Sequence, residues 1–164
     1  METDFETETG FELGSLTGHL LRLGHLAAQR AFLKQFGRDG LTSLQAGIVM
    51  AVHGAPGIDH RSLVARMQTH KSVLTTAIKP LLISGILTQH KGEQDSRVAS
   101  YRLSAEGRAT IPSIYGKLGD AEKLLTSELT EYEIVVLRDL LKKIVHERDA
   151  GFPSKSEGSK NRLD

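Results

Sequence analysis

One helix with two unlike faces constrains this chain more than any other feature. Between Ser72 and Leu82, the residues Leu74, Ala77, Ile78, Leu81 and Leu82 recur at i, i+3, i+4, i+7 and i+8. That is one apolar stripe at the 3.6 period, and it must be buried. Ser72, Thr75, Thr76 and Lys79 recur at i, i+3, i+4 and i+7 on another face, with Lys71 beside it. Such a helix is anchored on one side and presented on the other. Small hydroxyls and amines on the presented side suit a groove lined by base edges and phosphates. Gly85 marks the helix end.

The flanking segments supply the rest of a recognisable unit. Asp59 can cap a short helix whose Leu63 and Met67 face inward, and Gln68-Thr69 make a sharp connection to the two-faced helix. Two short strands follow, Ile86 to His90 and Val98 to Leu103. In the second, Ala99, Tyr101 and Leu103 alternate with Val98, Ser100 and Arg102, the period of a half-buried strand. The loop between them holds Lys91, Gly92, Asp95 and Arg97. The expected fold is therefore mainly α with a small antiparallel β-hairpin: a winged helix-turn-helix that lays one helix in a duplex groove and a basic hairpin beside it.

Charge supports this placement. The whole chain carries a formal net charge of only +1. Residues 59 to 108, however, hold eight Lys and Arg against four Asp and Glu, whereas residues 1 to 12 hold five acids and no base. Positive charge is concentrated where the motif lies, as an electrostatic footprint on a polyanion requires.

On either side of the motif the periodicity is helical. A long helix is expected from Phe11 to about Phe36, on Leu13, Leu16, Leu20, Leu23 and Ala27, with Leu21, Ala28 and Phe32 widening the stripe. Thr42-Ser43-Leu44-Gln45 has the capping-box pattern and opens a helix reaching His53. Pro80 predicts a kink or loosening near Thr76 to Lys79, since a proline in a helix interior costs ~3 kcal/mol or bends it. Ser104 can cap a long helix with Ile111, Ile114, Leu118, Ala121 and Leu125 on one face, kinked at Pro112. Thr130-Glu131-Tyr132-Glu133 is a second capping box, opening a closing helix through Val136, Leu137, Leu140, Leu141 and Ile144. The resulting layout is an acidic leader (1–10), a winged domain (41–103), a flexible tail (151–164), and a helical dimerisation region formed by residues 11–40 and 104–150. These end helices carry more apolar surface than one small core needs, so a second copy is expected to cover it.

Several chemistries are excluded. Cysteine is absent, which removes disulfides, thiolate metal sites and thiol switches. The seven histidines form no His-x-x-x-His or His-Glu-x-x-His spacing, so neither a metal nor another cofactor is expected. No phosphate-binding glycine loop and no nucleophile–base pattern occurs, which argues against an enzyme. The longest clean apolar run, Ala46 to Val52, is far too short to span a bilayer, and the acidic start is no export signal; a cytoplasmic protein is expected.

Four local features together resemble the MarR family of bacterial transcription regulators. They are Leu63-Val64-Ala65-Arg66-Met67 followed by Lys71-Ser72 and Thr75; Leu81 with Gly85-Ile86-Leu87; Asp95-Ser96-Arg97 in the wing; and Leu103-Ser104 with Gly107. The likeness spans roughly residues 12 to 148. Two departures stand out: Gln68 where many relatives carry glycine, and Pro80 where a polar or basic residue is usual. The resemblance implies a homodimer on a pseudopalindromic DNA operator, usually a repressor released by a small molecule such as an aromatic or phenolic acid or an acyl-CoA. On that reading Arg97 enters the minor groove, held in its rotamer by Asp95. Ser72, Thr75 and Thr76 contact base edges or phosphates, and Lys71, Lys79 and Lys91 neutralise phosphates. Any one of these side chains would read equally well as a solvated surface residue; as a set they read as a contact surface. His19, Arg22 and His25 on the first helix, with His53 and Tyr115, are candidates for an effector pocket. The competing reading is a winged-helix module that uses the same surface for a protein partner.

Overall fold

The computed structural model describes residues 13–38, 40–91 and 98–146. Its centre is α2 (Ser43–Gly54), in which Ala46, Ile48, Val49 and Val52 have no exposed surface at all. The helix starts where the sequence says it should. Gln45 N–H donates to Thr42 Oγ1 at 3.2 Å and Thr42 N–H donates to Gln45 Oε1 at 2.9 Å, a complete capping box. Gln45 also ties α2 to its neighbour, its Nε2 donating to the Ala77 carbonyl at 3.4 Å.

Around α2 lie α3 (His60–Arg66) and α4 (Lys71–Ile83). The buried stripe of α4 is the expected one: Leu74, Ile78 and Leu81 are sealed in the core, with Ala77 and Leu82 half-buried against it. Leu63 of α3 is wholly buried, while Met67 is only half-buried, at the helix end. The connection is a Schellman turn: Gln68 N–H donates to Ala65 C=O and Thr69 N–H to Val64 C=O, with Gln68 at φ 46°. Glycine would adopt that conformation without steric cost, so Gln68 marks a position of backbone strain. Pro80 does not loosen the helix as expected. α4 stays helical to Ile83, because Ile78 and Leu81 are anchored in the core, the proline is exposed near the last turn, and the Pro80 carbonyl still accepts from Ser84 N–H at 2.9 Å.

The hairpin is formed by β2 (Leu87–Lys91) and β3 (Ala99–Leu103), paired from Leu87↔Leu103 to Lys91↔Ala99. A third strand was not expected from the sequence. β1 (Ile58–Asp59) pairs antiparallel with β3, so that β3 is central in the order β1-β3-β2. Being central changes β3: Ser100 is buried along with Tyr101 and Leu103, breaking the strict alternation. Its hydroxyl is within reach of the His90 and Lys91 carbonyls, at 3.5 and 3.4 Å.

Ser104 then caps α5 (Ala105–Leu125), its Oγ accepting from Gly107 N–H at 2.8 Å. Gly107 is required by close approach, for a Cβ there would run into the Ile86 carbonyl oxygen. α5 buries Ile111, Ile114 and Ala121; it runs on helically through Pro112, and Leu125 is exposed rather than buried. α1 (Thr17–Phe36) packs along α5, starting after a single 3-10 turn at Leu13–Ser15 rather than at Phe11, which lies outside the described residues. Phe32 and Phe36 stack at 4.1 Å, and Lys117 of α5 sits 5.4 Å over the Phe36 ring. These elements form one unit, which ends at Leu125.

The second unit contains α6 (Glu131–His146), opened by the expected box: Thr130 N–H donates to Glu133 Oε2 at 2.8 Å and Glu133 N–H to Thr130 Oγ1 at 3.3 Å. The Thr130 N–H, together with the Thr130 hydroxyl donating to the same Oε2 at 2.8 Å, holds the Glu133 carboxyl below its ordinary pKa. Along α6, Tyr132, Val135 and Leu140 are exposed. Among the described residues no helix is long and apolar enough to cross a membrane.

Candidate nucleic-acid interface

The buried stripe of α4 turns its other face outward. Lys71, Ser72, Thr75, Thr76 and Lys79 are all exposed, as is Lys91 at the end of β2. Val73, which the sequence reading passed over, joins them with 45% of its surface exposed. An apolar methyl pair among hydroxyls suits contact with thymine methyl groups. Asp95 and Arg97 lie outside the described residues.

The local geometry refines what the threonines can do. Thr75 Oγ1 donates to the Lys71 carbonyl at 2.8 Å, and Thr76 Oγ1 donates to the Ser72 carbonyl at 3.0 Å. This back-bonding to the i−4 carbonyl commits each hydroxyl hydrogen to the helix backbone. What remains outward is acceptor lone pairs. In this rotamer they match the exocyclic amines of adenine and cytosine rather than phosphate, which only accepts. The groups here that could donate to a phosphate are instead the lysines and the start of α4. The His70 side chain makes no capping bond there and no acid lies in the first turn, so the first amides and the positive end of the helix are presented outward beside Lys71.

One positioning residue had no sequence signal. His60, the first residue of α3, reaches Tyr101 of β3, with Nδ1 and the phenolic oxygen 2.9 Å apart, and its Nε2 lies 3.5 Å from Thr75 Oγ1. It thus joins α3, the presented face of α4 and the central strand. Burial raises the Tyr101 hydroxyl above its ordinary pKa. Below this junction is a groove of about 520 Å3 between His60, Arg61 and Val64 of α3, Lys71 and Thr75 of α4, and Val98 and Ala99. Arg61 and Lys71 place two cations along it. The 41-residue separation of His60 and Tyr101 explains why no local pattern revealed the pair.

The comparisons fit this geometry. No protein-family model matches the sequence, and no curated protein does. Solved structures do. The PcaV transcriptional regulator of Streptomyces coelicolor, in complex with its natural ligand, is 22% identical over 84% of this chain and 97% of its own, with a TM-score of 0.78. A MarR mutant from E. coli complexed with operator DNA is 23% identical over 77% of this chain and 91% of its own, with a TM-score of 0.71. The chain has the MarR fold. Bordetella bronchiseptica BpsR, whose DNA binding is regulated by 6-hydroxynicotinic acid, shares the MarR fold too, at 19% identity over 84% of this chain and 98% of its own, with a TM-score of 0.79.

Of the five effector candidates the MarR fold here joins two. The His53 and Tyr115 rings meet edge-on with centroids 6.5 Å apart, linking the end of α2 to α5. His19, Arg22 and His25 lie along α1, His19 half-buried and the other two exposed. None of the three lines the cavity that His53 lines. Among the described residues no group of three or more His, Asp or Glu side chains converges as a metal site.

Proposed function

We propose that this protein is a homodimeric, sequence-specific DNA-binding transcription regulator: a repressor on a pseudopalindromic operator, released by a small aromatic or phenolic acid or an acyl-CoA. One observation carries the reading. In a MarR fold, the helix whose apolar stripe builds the core presents Ser72, Thr75, Thr76 and Lys79 outward, beside a groove edged by Arg61 and Lys71. From their place in the sequence between β2 and β3, Asp95 and Arg97 are assigned to the same function, Arg97 to a minor groove where potential is most negative. Dimerisation is supported by α1, which leaves Leu20 52% and Leu33 52% exposed in the single chain. Apolar surface of that kind on a helix marks an interface. A cytoplasmic location follows from the role, and no catalytic step belongs to it.

Salt tests the reading. Phosphate neutralisation gives a log–log slope near −0.9 per contact, so operator affinity falls steeply between roughly 50 and 200 mM salt. A flat response would transfer the surface to a protein partner. Arg97→Ala weakens operator binding and leaves the dimer intact; unchanged binding would remove the wing from the interface.

A further inference from the structure

The His60 imidazole sits between a buried phenol and the presented face of α4, and it lines the groove of about 520 Å3 with Arg61, Val64, Lys71 and Thr75. Its partners constrain where its hydrogens lie. Thr75 gives its hydroxyl hydrogen to the Lys71 carbonyl at 2.8 Å, so towards Nε2 of His60, 3.5 Å away, it can only accept. Nε2 therefore carries a hydrogen. Nδ1 lies 2.9 Å from the Tyr101 oxygen, and the two rings are tilted at 54° with centroids 5.9 Å apart. Burial raises the Tyr101 hydroxyl above its ordinary pKa and keeps it a neutral phenol. That phenol can donate to a bare Nδ1 or accept from a protonated one. The ring is thus seated in either charge state, and the proton on Nδ1 is what distinguishes them.

The surrounding charges favour the neutral ring in the free protein. Arg61 of the same helix and Lys71 of α4 line the groove beside it, and none of the groove's lining residues is acidic. Asp59 precedes His60, but its two oxygens accept from the Ser62 N–H at 2.9 Å and the Ser62 hydroxyl at 2.6 Å. On β3 the next charged residue, Arg102, points to the opposite side of the sheet from Tyr101, over Gly57. A proton on Nδ1 would add a third cation to two. A backbone phosphate in the groove reverses that balance, and it offers an acceptor to Nε2–H, whose contact with Thr75 is long.

We propose that His60 is a phosphate-binding residue of the duplex interface and takes up a proton as DNA enters the groove. The proton comes from solvent and settles on Nδ1, which then donates to the Tyr101 oxygen while Nε2–H turns to the phosphate. This rests on the DNA-binding reading above and adds a pH dependence to it. Because the complex holds one more proton per protomer than the free protein, affinity rises as pH falls through the imidazole range, near about 6.5. Well above that range both states hold a neutral ring, and affinity is flat.

Phosphate contacts carry no base sequence, so an operator is not needed for the test. The full-length protein is titrated by calorimetry with a mixed-sequence duplex of about 24 base pairs, at about 50 mM salt, in two buffers of unlike ionisation enthalpy. The difference in heat counts the protons taken up, and ring-nitrogen NMR reports the state of His60. The expected result is net proton uptake, with His60 neutral and hydrogen-bearing at Nε2 in the free protein and an imidazolium in the complex. Affinity rises about threefold or more from about pH 8 to about pH 6, the worth of one exposed ion pair. His60→Gln keeps an amide donor but loses most of the uptake. Should that variant fail to fold, the wild-type ring signals decide alone. The inference is overturned if no proton is taken up, if the His60 ring stays neutral in the complex, or if folded His60→Gln keeps the full uptake. Salt-dependent duplex binding without uptake refutes the role of His60 alone, whereas absence of duplex binding refutes the DNA-binding reading and this role with it.

Discussion

Gly107 and Gly116 stand on the same helix, and the same substitution should move stability in opposite directions at the two positions. At Gly107 an added Cβ meets the Ile86 carbonyl oxygen, a backbone atom that also accepts from Ser104 N–H at 3.1 Å. Backbone cannot rotate aside as a flexible side chain can. Either α5 lifts from the β2 entry or the Ser104 bond breaks. Overpacking of this kind costs about 1–3 kcal/mol or more. For a chain of this length each kcal/mol moves the melting temperature by about 2–4 °C, so Gly107→Ala should melt about 2–12 °C below wild type. At Gly116 a Cβ would meet nothing within 4 Å and the position is exposed. Alanine there only removes backbone entropy from the unfolded chain, a gain of about 0.5–1 kcal/mol and about 1–4 °C. Thermal unfolding followed by circular dichroism reads both. A Gly107→Ala protein melting at or above wild type would refute the close seat of α5 on Ile86, and with it the fixed relation of wing and α5.

Three further outcomes follow from single residues. Gln68→Gly should raise stability by about 1 kcal/mol, since it relieves a left-handed backbone that costs roughly 1–2 kcal/mol; an unchanged urea midpoint would mean that the turn is unstrained. Asp59 accepts from Ser62 Oγ at 2.6 Å and from Ser62 N–H at 2.9 Å, and these bonds hold its carboxyl below the ordinary 3.8. The cap's contribution is thus present in full above pH 3.8 and fades as pH falls through the lower folded value. Acid titration of the melting temperature should show this loss in wild type but not in Asp59→Asn, and identical profiles would clear Asp59. Thr76→Val keeps the shape of the helix face but deletes its outward acceptor, and should cost about 0.5–1.5 kcal/mol of discrimination per half-site, the worth of one neutral hydrogen bond, in competition against scrambled duplex. Equal losses on both sequences would assign Thr76 to non-specific contact.

Much of this protein was legible without coordinates, and the legible part shares a cause. The stripe of Leu74, Ile78 and Leu81, the boxes at Thr42–Gln45 and Thr130–Glu133, and the caps at Asp59 and Ser104 each rest on contacts within one or two helical turns. Interactions of that range are fixed by spacing alone, so the faces and starts of the helices could be read from order. What failed or was missed involves partners far apart in the chain. The strand Ile58–Asp59 exists only because the β3 edge is there to accept it, and that pairing is what buries Ser100. His60 meets Tyr101 across 41 residues, and Arg102 lies over Gly57. α4 remains helical through Pro80 because the core holds Ile78 and Leu81, a restraint no propensity contains. The sequence by itself determined which surface of α4 is presented and which is buried. Only the tertiary structure decided which cations and histidines converge, since convergence depends on where the packed core sets α2, the wing strands and α5 against one another.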